Sequence, residues 1–421
     1  MKKQSFDLVV IGAGPSGAVA SAILAKAGKS VLVLEKQYFP RFSIGESLLP
    51  QCMEFLAQAG LVEHVHQHAK ACGFQYKDGA AFHKKGQDTV FDFTQKFSQG
   101  PGTTYQVKRA SFDKVLADGA ALAGAQIRYG HTVKSVNVEP ECPTLEVIDE
   151  QGDVYQVEGK FLLDASGFAR VLPRMLDLEK PSHLPTRDAY FTHIEDNIDM
   201  NDLSGEVFDR DKILITVNPD NSDIWYWLIP FADGTSSIGV VGKAEQFANV
   251  ELPATNRNEE ILKHFVQAAP NLRNILKNAQ WNNDVNRLSG YSADVKHLAS
   301  RNYALLGNAG EFLDPVFSSG VTIALCSAAL IAPQVLRFLD GEEVDFEESF
   351  AKPLKKGVEC FKTFVNSWYE SGFQDVIFYQ DQQPQIREMI SSILAGYAWD
   401  ETNPYVAQSE RRFKTLVELC S

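Results

Sequence analysis

An α/β fold interrupted by strand-rich insertions follows from three features of this 421-residue chain. A strand, a glycine-rich turn, a helix and a second strand open it. Short strands then alternate with helical stretches, and the C-terminal part is helical in pattern. The opening unit is the most specific. Ser5–Ile11 reads as a buried strand, and Gly12-Ala13-Gly14-Pro15-Ser16-Gly17 follows at G-x-G-x-x-G spacing. A small-residue helix, Ala18–Ala27, leads through Gly28 to the apolar strand Val31–Leu34, which ends on Glu35 and Lys36. Gly12 permits the tight turn, Gly14 lets a pyrophosphate approach the backbone, and Gly17 lets helix and strand pack closely. The helix N-terminus offers free N–H groups to phosphates, and Glu35 lies near the ~20-residue offset at which an acid bonds a ribose hydroxyl. These residues predict a Rossmann-like unit with a bound dinucleotide.

After Glu35 a loop carries Pro40 and Gly45, and helical patterning runs from Leu48 to Val65. Strands are expected at Gly73–Lys77, Ala80–His83, Thr89–Phe93 and Thr104–Val107, punctuated by Gly79, Gly86 and Pro101-Gly102. Ser111–Ala123 is an amphipathic helix. The strands Thr132–Val138, Thr144–Asp149, Tyr155–Val157 and Phe161–Leu163 follow, the last running into Asp164-Ala165-Ser166-Gly167. Residues 188–242 are strand-rich, Glu259–Leu276 is helical, Tyr303–Leu306 is a buried strand, and a long helix starts after Gly320. Segments 1–65, 105–175 and 300–340 are thus expected to build the nucleotide-binding domain. Segments 66–104 and 176–299 would form an antiparallel-sheet substrate domain, and 341–421 a helical region.

Forty basic against fifty-four acidic residues give a net charge of −14, which argues against a nucleic-acid partner. Six cysteines with no C-x-x-C pair suit a reduced, cytoplasmic setting. The apolar stretch Val321–Leu336 is short of the ~20 residues a membrane span needs. His64 and His68 would share a helix face without a carboxylate partner set, so no metal is expected.

Four motifs together resemble the FAD-dependent aromatic hydroxylase superfamily. They are the glycine turn; Arg109–Asp113; Asp164, Ser166 and Gly167; and Gly307-Asn308-Ala309 with Asp314-Pro315. The resemblance implies FAD as cofactor, contacted by these positions, with Asn308 standing where the family carries an aspartate. Three further features resemble its flavin-dependent halogenase branch. Pro40–Ser47, with Arg41, Ile44, Gly45 and Glu46, looks like the segment that folds over the flavin. Trp225-Tyr226-Trp227-Leu228-Ile229-Pro230 matches W-x-W-x-I-P, implying a wall (Trp225, Trp227, Ile229, Pro230) that keeps substrate from the flavin. Lys77 sits in the halogenase context K-x-G-A-x-F; a strand lysine is ordinarily solvated, whereas the family's lysine is catalytic and receives hypohalous acid. Phe317 occupies the place of the tryptophan halogenases' glutamate, so the resemblance is to phenol and pyrrole halogenases, with Phe317 in the wall. The backbone at Ser319 and Gly320, just before a helix N-terminus, would seat halide, and Gly320 and Val321 would face the flavin. The expected reaction uses FADH2 from a separate flavin reductase, O2 and halide on an electron-rich aromatic substrate, free or carrier-protein-bound. A monooxygenase, or a dehydrogenase of the geranylgeranyl-reductase type, uses the same scaffold and is the alternative.

Overall fold

The computed structural model describes residues 3–182, 184–250 and 256–420. Its first sheet runs Gln126–Tyr129, Val31–Glu35, Lys3–Ile11, Val154–Asp164, Thr144–Ile148, Thr132–Asn137, and Tyr303–Leu305 pairs with the end of Val154–Asp164. The four strands beside and including Lys3–Ile11 pair in parallel, and Tyr303–Leu305 joins in the same sense, while the two outer strands return antiparallel. Parallel strands buried on both faces read as continuous apolar runs, as Leu8–Ile11 and Val31–Leu34 do. The helices Pro15–Lys26 and Ser319–Leu339 pack on each other over one face of this sheet. The latter is long and apolar enough to cross a membrane, yet 67% of its apolar window is buried inside the protein.

The second sheet runs Asn286–Ser289, Asp188–Glu195, Thr235–Gly242, Trp225–Pro230, Lys212–Val217, Gly79–Lys84, Gln87–Asp92. It is not wholly antiparallel: Lys212–Val217 and Gly79–Lys84 pair in parallel, since the two come from distant segments rather than from one hairpin. Alternation divides Trp225–Pro230 between two cores. Trp225, Trp227 and Ile229 face the main core, whereas Tyr226 and Leu228 pack against the helical layer that contains Phe247 and Phe265.

Three elements differ from the sequence expectation. The helix expected at Leu48–Val65 is two, Cys52–Gln58 and Val62–Ala69, because Gly60 adopts φ +63° between them. Glu259–Leu276 is likewise divided, with Pro270 starting the second helix. Tyr155–Val157 and Phe161–Leu163 instead merge into one strand, Val154–Asp164. Gly159 lets it run flush against Lys3–Ile11; a Cβ there would lie 2.9 Å from Val9 Cγ2.

Candidate active site

A cavity of about 500 Å³ lies between the two sheets. At one end Gly12 adopts φ +98°, with its would-be Cβ 2.5 Å from the Ala165 carbonyl oxygen; a Cβ on Gly17 would fall 2.1 Å from the Gly12 carbonyl oxygen. Only glycine fits either place. The buried Glu35 carboxylate at the strand end accepts from Ala13 N–H at 2.9 Å and Gln37 N–H at 2.8 Å. Arg41 hangs over the turn, 3.7 Å from where a Gly14 Cβ would sit. Its Nη1 is 3.0 Å from Asp113 Oδ2, and Arg109 donates to the same carboxylate at 2.7 and 2.9 Å while its Nη1 holds the Ile44 carbonyl. Asp113, wholly buried, thus ties the 37–47 strap to the helix Arg109–Leu122. A small-residue turn at a helix N-terminus, a fixed acid at the next strand's end and two arginines form a donor set that fits a dinucleotide.

The opposite wall is aromatic. Trp225, Trp227 and Ile229 line the cavity. The Trp227 indole N–H donates to Ser237 Oγ at 3.1 Å, and Gly239 makes room for its ring, since a Cβ there would lie 2.2 Å from Trp227 Cζ2. Phe42 of the strap stacks on Phe191, 6.0 Å between centroids, and Phe191 in turn touches Trp227. The Trp225 indole N–H donates to Tyr369 Oη at 2.9 Å, and Tyr369 donates to Asp314 at 3.0 Å. The Arg187 guanidinium lies 3.3 Å from the centre of the Tyr369 ring. Burial pushes Asp314 up to about 6, although Val316 N–H, Arg187, Tyr369 and Tyr291 oppose the shift.

Lys77 is fully buried rather than solvated. Its Nζ donates to Ser47 Oγ at 2.7 Å and to the Leu48 carbonyl at 2.8 Å, and sits 5.5 Å from the Phe93 ring centre. Burial lowers its pKa from 10.5 to about 7. Lys77 does not line the cavity; Ser47 does, and stands between the two.

Of the other expected site residues, Gly12, Gly14, Pro15, Ser16, Lys36, Ile44, Gly45, Glu46, Ser166, Gly167, Asn308, Gly320 and Val321 line the cavity. Several do not. Asp164 has both oxygens turned inward, accepting from Ser166 N–H (2.9 Å) and Leu172 N–H (2.7 Å), so it shapes the loop. Gly307 packs against the long helix, where a Cβ would lie 2.8 Å from Ala324 Cβ, and Gly17 lies behind Gly12. Asp314 caps the turn Pro315–Phe317 from behind the cavity. Phe317 is not in the wall: it packs away from it on Trp368 and Phe373, at 5.8 and 5.2 Å. Pro230 and Ser319 are buried off the lining, with Ser318 taking the latter's place there. Sequence reasoning missed Ser47, Phe42, His131, Tyr291 and Ile213 as lining residues. Only Ser47 and Phe42 carried a signal, lying within the strap.

A family model described as FAD binding domain matches residues 5–295. The chain belongs to this FAD-binding family. The flavoprotein is 37% identical to a flavoprotein/dehydrogenase from Cytophaga hutchinsonii of known structure, with 99% of each chain covered and a TM-score of 0.92. It is 28% identical to the 1H-pyrrole-2-carbonyl-[peptidyl-carrier protein] chlorinase of Pseudomonas fluorescens, covering 99% of this chain and 95% of that one. A flavin-dependent brominase shares the fold, with a TM-score of 0.83 at 23% identity. The protein is accordingly an FAD-dependent oxidoreductase, and its curated relatives are flavin-dependent halogenases.

Proposed function

We propose that the protein halogenates an electron-rich aromatic carbon, using FADH2, O2 and halide. The observation that carries this reading is Lys77: an amine wholly removed from water, with a pKa near 7, one hydroxyl behind the cavity. The glycine turn, Glu35, Arg41 and Arg109 would hold FAD, which when reduced would supply the two electrons that activate O2. The strap and the Trp225–Trp227 wall keep the organic ring away from it. The N-terminus of Ser319–Leu339, at Gly320 and Val321, offers a positive dipole end to a halide. Lys77 hydrogen-bonds the resulting hypohalous acid and orients its halogen toward the substrate carbon. A desolvated neutral amine suits this role because its lone pair can accept the hydrogen bond of the acid.

The relatives named for pyrrole-carbonyl carrier proteins support a carrier-borne pyrrole as substrate, and FADH2 would come from a separate flavin reductase. A second reading, dehydrogenation or hydroxylation, draws on the Cytophaga hutchinsonii flavoprotein/dehydrogenase. The test supplies enzymatically reduced FAD, O2, bromide or chloride, and free phenols and pyrroles beside a pyrrolyl-thioester carrier protein. Halogen isotope patterns that vanish in Lys77→Ala support halogenation. Products that are only hydroxylated or dehydrogenated, with Lys77→Ala fully active, overturn it.

A further inference from the structure

We infer that Ser47 is the positioning residue through which the cavity addresses Lys77. This rests on the halogenating role given above to Lys77. Among the described residues Ser47 both lines the cavity and touches the Lys77 amine, whereas Lys77 itself does not reach the lining. In its neutral form, which gains on the ammonium form as pH rises through about 7, the amine has two N–H donors and one lone pair. Ser47 Oγ and the Leu48 carbonyl accept both donors, so the lone pair is turned to the side they leave free. No carboxylate lies within hydrogen-bond distance of Nζ among the described residues; the titratable neighbour is the Cys52 thiol, whose pull toward the ammonium form is outweighed by burial. The Ser47 hydroxyl, in accepting from Lys77, keeps its own hydrogen. Among the described residues the Ser47 hydroxyl donates no hydrogen bond, and Ser47 is one of the residues that line the cavity.

The backbone fixes this arrangement. Val107 N–H donates to the Glu46 carbonyl at 2.7 Å and Leu48 N–H to the Tyr105 carbonyl at 3.2 Å. These bonds stitch residues 46–48 to the strand Thr104–Gln106, which pairs directly with Gln75–Lys77. Glu46 is further pinned by His193 Nε2 at 2.9 and 3.0 Å. Ser47 and Lys77 therefore ride on one hydrogen-bonded patch. Hypohalous acid arriving from the cavity accepts the Ser47 hydrogen bond first and then donates its own O–H to the amine lone pair. No covalent bond is made or broken in that hand-over.

The test uses the full chain loaded with FAD and fed by a flavin reductase, with bromide and an accepted phenol. A β-diketone trap captures hypohalous acid that escapes. Ser47→Ala is expected to shift the ratio of halogenated product to trapped oxidant at least tenfold toward the trap. In a Lys77→Met background the same substitution should change that ratio no further. In the cofactor-free protein, the Lys77 titration followed by NMR with labelled lysine should move in Ser47→Ala and return in Ser47→Thr. A wild-type ratio with an unmoved titration in Ser47→Ala overturns the proposal. A wild-type protein that halogenates nothing sinks the reading of Lys77 instead, and the titration still decides whether Ser47 governs the amine.

Discussion

Burying Lys77 destabilises the fold, and the cost depends on pH. Unfolded, its amine titrates near 10.5; folded, near 7. At 1.36 kcal/mol per pH unit, that gap is on the order of 5 kcal/mol. The sign follows from proton counts. Below pH 7 both states are protonated and the full cost is present. Between 7 and 10.5 the unfolded state binds the extra proton, so stability rises with pH, and above 10.5 the cost is gone. Lys77→Met keeps the length and apolar stem of the side chain while removing the titration. It also strands Ser47 Oγ and the Leu48 carbonyl, which offsets the gain by about 1–3 kcal/mol each, independently of pH. The firm expectation is therefore the slope: from pH 6 to pH 9 the wild type should gain about 2.5 kcal/mol on the methionine variant. Urea unfolding of both proteins at pH 6, 7, 8 and 9 measures this directly. Parallel pH profiles would refute a neutral, desolvated lysine, and with it the basis for its catalytic role.

Three other outcomes follow from distances in the site. Gly17→Ala places a methyl group 2.1 Å from the Gly12 carbonyl oxygen, so the turn must open; the purified variant should retain less than a tenth of wild-type flavin per polypeptide, read by absorbance. Glu35→Gln replaces a charged acceptor at Ala13 N–H by a neutral one, a loss of about 1 kcal/mol, so FAD should bind roughly 5-fold more weakly in a fluorescence titration; an unchanged Kd excludes Glu35 from the site. Tyr369→Phe keeps the ring under Arg187 but strands the Trp225 indole N–H and one Asp314 contact, at about 1–3 kcal/mol per buried group; a melting temperature within a degree of wild type would show that the bridge holds nothing.

The glycine turn was legible because its constraint is local. Steric demands at Gly12 and Gly17 arise within one strand-turn-helix unit, so spacing alone reveals them. The aromatic wall was half legible. Period-two alternation places Trp225 and Trp227 together, but their N–H partners, Ser237 and Tyr369, come from an adjacent strand and from a helix 144 residues away. Asp164 and Asp314 show the opposite failure. Motif position suggests cofactor contact for both, yet each carboxylate caps backbone N–H groups of the following turn, the local bonding that short acidic side chains favour. They shape the loops that carry Ser166 and Ser318 to the cavity rather than reaching it themselves.

Lys77 lies at the limit of what a sequence reveals. Alternation places it across the strand from Tyr76, and Tyr76 is indeed exposed, but no pattern around residue 77 says what covers the other face. That cover comes from Ser47 and Leu48, some thirty residues earlier, and from Phe93 on the neighbouring loop. The cover also decides the chemistry. A solvated lysine is an ammonium ion at neutral pH and has no lone pair to offer; the same residue in a dry, two-acceptor pocket titrates near 7 and does. The motif K-x-G-A-x-F names the amine, but burial by distant segments makes it a base, and among the described residues Ser47 is the one that both touches it and lines the cavity in which an oxidant would form. Activity should therefore respond to substitution at Ser47 as well as at Lys77, although the lysine alone carries the motif.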